Sequence, residues 1–69
     1  MYNITFRYYY DSFRYHKFTK KFNTLSEIAE FMFRSLDLYF DDPNKQFTSR
    51  ELKILVLKLQ SLRRKKERR

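Results

Sequence analysis

The stretch YNITFRYYYDSFRYHKFTKKF, from Tyr2 to Phe22, constrains the fold more than any other part of the chain. Tyr2, Ile4, Phe6, Tyr8 and Tyr10 share one parity, so in an extended backbone they line one face, with Asn3, Thr5, Arg7 and Tyr9 on the other. A return strand must bring its own apolar residues to the first face, and that requirement tests the turn. A two-residue turn at Asp11-Ser12 sets Phe6 opposite Lys17 and sends Phe18 and Phe22 to the polar side. A three-residue loop, Asp11-Ser12-Phe13, pairs Tyr2 with Phe22, Phe6 with Phe18 and Tyr8 with His16. Because a one-residue slip inverts every side chain, the pattern selects the second register. Such a loop favours glycine in a left-handed position, and this chain has no glycine.

The hairpin from 2 to 22 then has a packing face of Tyr2, Ile4, Phe6, Tyr8, Phe18 and Phe22. Its outer face carries Arg7, Tyr9, Tyr15, Lys17 and Lys21. Arg7 falls opposite Lys17, and like charges across a strand pair destabilise by a few tenths of a kcal/mol. A bound anion would compensate them; two side chains splayed into water would also relieve them. His16, beside Tyr8, reads as a half-buried packing residue.

Thr24-Leu25-Ser26-Glu27 is a capping box, and apolar residues follow at Leu25, Ile28, Ala29, Met32, Phe33, Leu36, Tyr39 and Phe40. This spacing predicts a helix over 24–41, ending before Pro43 because Asp42 precedes a proline. Phe31 and Leu38 fall on its far side as a second packing seam or a protein-binding patch. Asp41-Asp42-Pro43-Asn44-Lys45-Gln46 is turn chemistry, and its two aspartates read as turn and solubility residues. Thr48-Ser49-Arg50-Glu51 repeats the capping box, with Phe47 placed to staple onto Leu52, and predicts a helix over 48–65. Leu52, Leu55, Val56, Leu59 and Leu62 form its buried stripe, while Ile54 and Leu57 lie on the far side. The expected fold is α+β: an N-terminal antiparallel hairpin packed by two helices (ββαα), with dimerisation as a further way to complete the core.

Sixty-nine residues lie near the size at which one core only just offsets chain entropy. Cysteine is absent, which removes disulfides and thiolate metal sites, and one histidine does not make a zinc site. Eight Phe and six Tyr must therefore supply the packing. Without glycine there is no P-loop and no dinucleotide-binding turn, and no serine stands in a nucleophile elbow. The expectation is a protein that is not an enzyme and takes neither a cofactor nor a small-molecule substrate.

Net charge is +8, which favours nucleic acid, an acidic protein surface or an anionic membrane as partner. Residues 1–22 hold five Lys/Arg against one Asp, a balance of +4; residues 23–47 hold two against five acids, −3; residues 48–69 hold nine against two, +7. The tail Arg63, Arg64, Lys65, Lys66, Glu67, Arg68 and Arg69 is either a frayed helix end complementing the macrodipole or a phosphate-binding arm. No apolar run of about 18 residues is present, and Arg7 and Arg14 interrupt any signal-peptide pattern, so a cytoplasmic protein is expected. Membrane-surface attachment through the tail ranks below the other partners.

A strand followed by two helices resembles the ribbon-helix-helix repressors, although TLSEIAEFMFRSLDLYF exceeds their first helix and DDPNKQ lacks their turn. In its short length, its lack of Cys and Gly, its Phe/Tyr/Lys/Asn-rich strands and its ββαα order, the chain resembles small single-domain bacteriophage proteins, anti-CRISPR proteins among them. That likeness of kind implies a non-catalytic inhibitor in the cytoplasm of a bacterial host. Its partner would be a host protein or ribonucleoprotein that handles nucleic acid, such as a guide-RNA nuclease. The partner-binding residues expected are Arg7, Tyr9, Tyr15, Lys17 and Lys21 on the hairpin, with Arg63, Arg64, Lys65, Lys66, Arg68 and Arg69 in the tail. The alternative is a small basic DNA- or RNA-binding transcriptional regulator.

Overall fold

In the computed structural model, which describes residues 1–35 and 37–67 and side chains as far as Lys65, the hairpin forms in the register the alternation selects. Strand β1 (Tyr2–Tyr9) pairs antiparallel with β2 (Tyr15–Phe22), placing Tyr2 against Phe22, Phe6 against Phe18 and Tyr8 against His16. Asp11 replaces the missing glycine. Its Oδ1 accepts from the backbone N–H groups of Phe13 and Arg14, both at 2.8 Å, so a side-chain bridge closes the loop with no left-handed residue in it.

Helix α1 (Leu25–Arg34) starts at the capping box: the Glu27 N–H donates to Thr24 Oγ1 and the Thr24 N–H donates to Glu27 Oε1. It ends much earlier than residue 41. Ser35 is extended, its hydroxyl donates to the Phe31 carbonyl at 2.9 Å, and Asp37 is left-handed at φ 61°. Leu38–Phe40 is then a third strand, β3, on the free edge of β1, giving the order β2-β1-β3. The spacing that reads as one long helix is also an alternation, with Leu38 and Phe40 inward and Tyr39 outward. Tertiary context decides between them. The second edge of β1 runs beside fully buried Phe6, and a strand there satisfies backbone groups that a longer helix would leave open. Leu36, placed by the helical spacing in the buried stripe, lies outside the described residues.

Asp42, at φ 50°, turns the chain into a single helical turn, α2 (Pro43–Gln46), with proline at its first turn. Gln46 extends the sheet with its side chain: the Thr5 N–H donates to Oε1 at 2.6 Å, and Nε2 donates to the carbonyls of Thr5 (3.0 Å) and Asp41. Helix α3 (Ser49–Glu67) begins at its capping box, where the Glu51 N–H donates to Thr48 Oγ1 at 3.1 Å and the Thr48 N–H to Glu51 Oε1 at 2.8 Å. Donation from the Thr48 backbone N–H is the main cause holding the Glu51 carboxyl below its ordinary value.

The α+β fold thus packs one face of a three-stranded antiparallel sheet beneath helices, with β3 and α2 inserted between the two long ones. Across the inner face Phe18, Phe6 and Phe40 make a row, with centroids 5.3 and 5.5 Å apart and rings nearly parallel. Phe31 caps the row at 5.2 Å from Phe6, and Leu38 is buried, so both belong to the core rather than to a second seam. Ile28 and Ala29 of α1 and Leu55 of α3 complete it. On α3, Val56 is 52% exposed and therefore leaves the stripe expected of it; Leu57 is exposed, and Ile54 is half-buried. A ten-residue helix spans about 15 Å against about 26 Å for an eight-residue strand. Helix α1 is therefore too short to cover the whole hairpin. Tyr8 and His16 are exposed, which corrects their reading as packing residues, and Tyr10 is exposed as well.

Candidate partner-binding face of the sheet

No helix lies over the outer face of the sheet, whose surface is set by the odd-numbered residues of all three strands. β1 contributes Thr5, Arg7 and Tyr9; β2 contributes Tyr15, Lys17, Thr19 and Lys21; β3 contributes Tyr39, with Asp37 and Asp41 at its ends. Four of the expected residues come together here. Tyr9 packs against Tyr15 at 5.2 Å and, edge to face, against Tyr39 at 5.5 Å. The Arg7 guanidinium lies over the Tyr15 ring, 4.9 Å from its centroid. Lys17 stands directly opposite Arg7.

The like-charge pair is compensated within the chain. Arg7 Nε donates to Asp41 Oδ1 at 2.6 Å, and Lys17 Nζ lies 3.7 Å from Asp41 Oδ2. Asp41 is thus the counter-ion of the face rather than a turn or solubility residue. Donation from Arg7 holds its carboxyl below the ordinary carboxylate range, helped by Lys17 and opposed by partial desolvation. The same pair raises the pKa of Arg7, which stays charged at any working pH.

Lys21 sits opposite Asn3, about 13 Å along the strand from Lys17, and does not join the cluster. Arg63, Arg64 and Lys65 are exposed at the end of α3, on the helical side of the sheet. The side chain of Lys66, and Arg68 and Arg69 entirely, lie outside the described residues. The hairpin cluster and the tail cations do not form one site among the described residues.

Sequence reasoning missed Tyr39, 56% exposed beside Tyr9, and the pairing role of Asp41. It also missed Asp37 and Tyr10, which with Arg7, Tyr9 and Tyr39 line an open cleft of about 660 Å³ at the loop end of the sheet. The available signal was the alternation Leu38-Tyr39-Phe40 between two aspartates, the residue type most tolerant of left-handed backbone after glycine and asparagine. Among the described residues, no group of three His, Asp or Glu stands where it would hold a metal ion. No helix among them is long and apolar enough to cross a membrane. Comparison with family models, curated proteins and solved structures returned no match.

Proposed function

We propose that this chain is a non-catalytic, phage-type inhibitor that docks through the outer sheet face on a host nucleic-acid-handling machine in the bacterial cytoplasm. A guide-RNA nuclease, as for an anti-CRISPR protein, is the target to test first. The carrying observation is that Arg7 and Lys17 are both paired with the single carboxylate of Asp41 on a face walled with tyrosine. A phosphate-binding strand face would present free cations. Here the central cations are already paired, and one face of Tyr15 is occupied by Arg7. A rigid tyrosine-and-arginine surface with little net charge is the composition that dominates binding energy in protein–protein interfaces.

Nucleic acid enters this reading through the tail. Arg63, Arg64 and Lys65 are exposed on the other side of the molecule and would reach phosphates of a ribonucleoprotein while the sheet face meets its protein. The absence of cysteine, of glycine-rich loops and of a serine nucleophile motif supports an inhibitor that blocks rather than reacts.

The test is capture of partners from bacterial lysate on the immobilised protein, with and without nuclease digestion. A protein partner retained after digestion, and lost when Tyr9 and Tyr39 are both changed to Ala, is the expected result. Purified guide-RNA nucleases that are neither bound nor inhibited would exclude that target. The basic tail favours the second reading, a DNA- or RNA-binding regulator. That reading expects every partner to vanish on digestion and affinity for short duplexes or single strands to fall steeply with salt.

A further inference from the structure

The cleft at the loop end of the sheet carries a chemistry opposite to that of the chain as a whole. Its walls are Tyr9, Tyr10 and Tyr39, and its charged groups are Arg7, Asp11 and Asp37. Arg7 is engaged with Asp41 and Tyr15. Asp11 is engaged too: Oδ1 accepts two loop N–H groups, and Oδ2 lies 3.6 Å from Arg14 Nε. Asp37 is different. It is exposed and held at φ 61°, and its backbone carbonyl accepts from the Tyr9 N–H at 3.0 Å, which fixes it to the sheet. Among the described residues, its carboxylate has no hydrogen bond or ion pair. In a protein of net charge +8, this is a pre-positioned, uncompensated carboxylate beside rings that are 56% (Tyr39) and 60% (Tyr10) exposed.

The same face shows what such an arrangement holds. Two residues along β3 from Tyr39, the Asp41 carboxylate and the Tyr15 ring grip the guanidinium of Arg7. Asp37, directly before that strand, lines the cleft together with Tyr39. They offer a second carboxylate and ring, and Tyr9 meets Tyr39 at 84°, which makes a corner of two aromatic surfaces. A planar guanidinium satisfies both elements, stacking on a ring while donating to a carboxylate, which a compact ammonium does less well.

We propose that the cleft formed by Tyr9, Tyr10, Tyr39 and Asp37 receives an arginine side chain of the protein partner, completing a second guanidinium site beside the one Arg7 fills. This deepens the docking reading and rests on it for the source of the arginine. It also fits the class of partner, because surfaces that handle nucleic acid are rich in arginine.

The site is testable without the partner. Backbone amide shifts of the full chain are followed by NMR during titration with N-acetyl-arginine amide, with N-acetyl-citrulline amide as the uncharged isostere and inorganic phosphate as the opposite charge. Saturable shifts at residues 9, 10, 37 and 39 with the arginine compound alone are expected. Asp37→Asn, which keeps the left-handed backbone comfortable, should weaken that binding about tenfold, the loss expected for a charge-assisted pair. Equal shifts from citrulline, stronger shifts from phosphate, or unchanged affinity in Asp37→Asn would each overturn the assignment. Partner capture separates the two readings. If Asp37→Asn captures the protein partner as well as the parent does, docking stands and the arginine site falls. If the arginine amide binds as expected but no protein partner is captured, the site stands and the docking reading falls.

Discussion

Phe6 and Asp41 carry opposite faces of the same strand pair. Phe6 is fully buried and touches the rings of Phe18, Phe22, Phe31 and Phe40, so removing it opens a cavity under every layer. Phe6→Ala is expected to cost about 3–5 kcal/mol, against a total stability of about 3–10 kcal/mol for a chain of this length. Urea unfolding followed by circular dichroism should show a largely unfolded variant at 37 °C. Asp41 acts through its ion pairs and titrates. Its folded carboxyl lies below the unfolded value near 3.9, so the pairing stabilises the fold above that value and is lost as pH falls through the lower, folded one. Asp41→Asn should therefore melt below the parent at pH 7. The gap between the two melting temperatures should close as the pH is taken below the unfolded carboxylate value. A gap of constant size from pH 7 downward would mean that the ion pairs contribute nothing.

Among the elements, β3 decides most and is the shortest. Three residues bring Tyr39 to the outer face, Phe40 to the inner row and Asp41 to Arg7. It is held by the Asp41 N–H donating to the Thr5 carbonyl and the Tyr9 N–H donating to the Asp37 carbonyl, both at 3.0 Å. The Arg7–Tyr39 pair lies midway between these, so by the alternation of antiparallel ladders it is a hydrogen-bonded pair. Tyr39→Pro removes a donor from the middle of the strand and should cost about 1–3 kcal/mol. It should also release the Tyr9 amide to fast hydrogen exchange while leaving the β1–β2 ladder protected. If the Tyr9 amide stays protected, β3 does not depend on its central pair. Left-handed Asp37, directly before the strand, and left-handed Asp42, two residues after it, are where such a short strand can leave and rejoin the helical layers without glycine.

At the scale of the whole molecule the basic residues of the hairpin and the described basic residues of α3 fall on different elements. Arg7 and Lys17 belong to a tyrosine face and share the Asp41 carboxylate, while Arg63, Arg64 and Lys65 are exposed on α3. Changing Arg63, Arg64 and Lys65 to Gln should alter stability by no more than about 0.5 kcal/mol, because they are exposed and touch no core. If the tail meets phosphates, the same change should flatten the salt dependence of ribonucleoprotein binding by about 0.7–0.9 in log–log slope per lost contact. An unchanged slope would remove the tail from the interface. Val56 and Leu57, exposed side by side on α3, are apolar surface that the fold leaves unused.

The α+β class, the hairpin register and the start of both long helices were legible in the chain itself, because each rests on local constraints. Parity admits one register for Phe6, Phe18 and Phe22, and each capping box is closed by residues three apart. The outer-face cluster of Arg7, Tyr9, Tyr15 and Lys17 followed from the same parity. What the chain could not express locally was the fate of residues 35–41, where helical spacing and strand alternation coexist in one string of apolar residues. The open edge of β1 beside Phe6 settles that choice, and an edge exists only once the hairpin has formed. Asp41 therefore reads as a turn residue and Asp37 as part of a solvated helix face until β3 carries the first to Arg7 and the second lines the cleft. The opposed cations Arg7 and Lys17 left two outcomes open in the sequence, a bound anion or side chains splayed into water. Tertiary structure instead supplied a carboxylate from 34 positions away, a contact that no local pattern in the chain announces because it exists only once β3 has paired with β1.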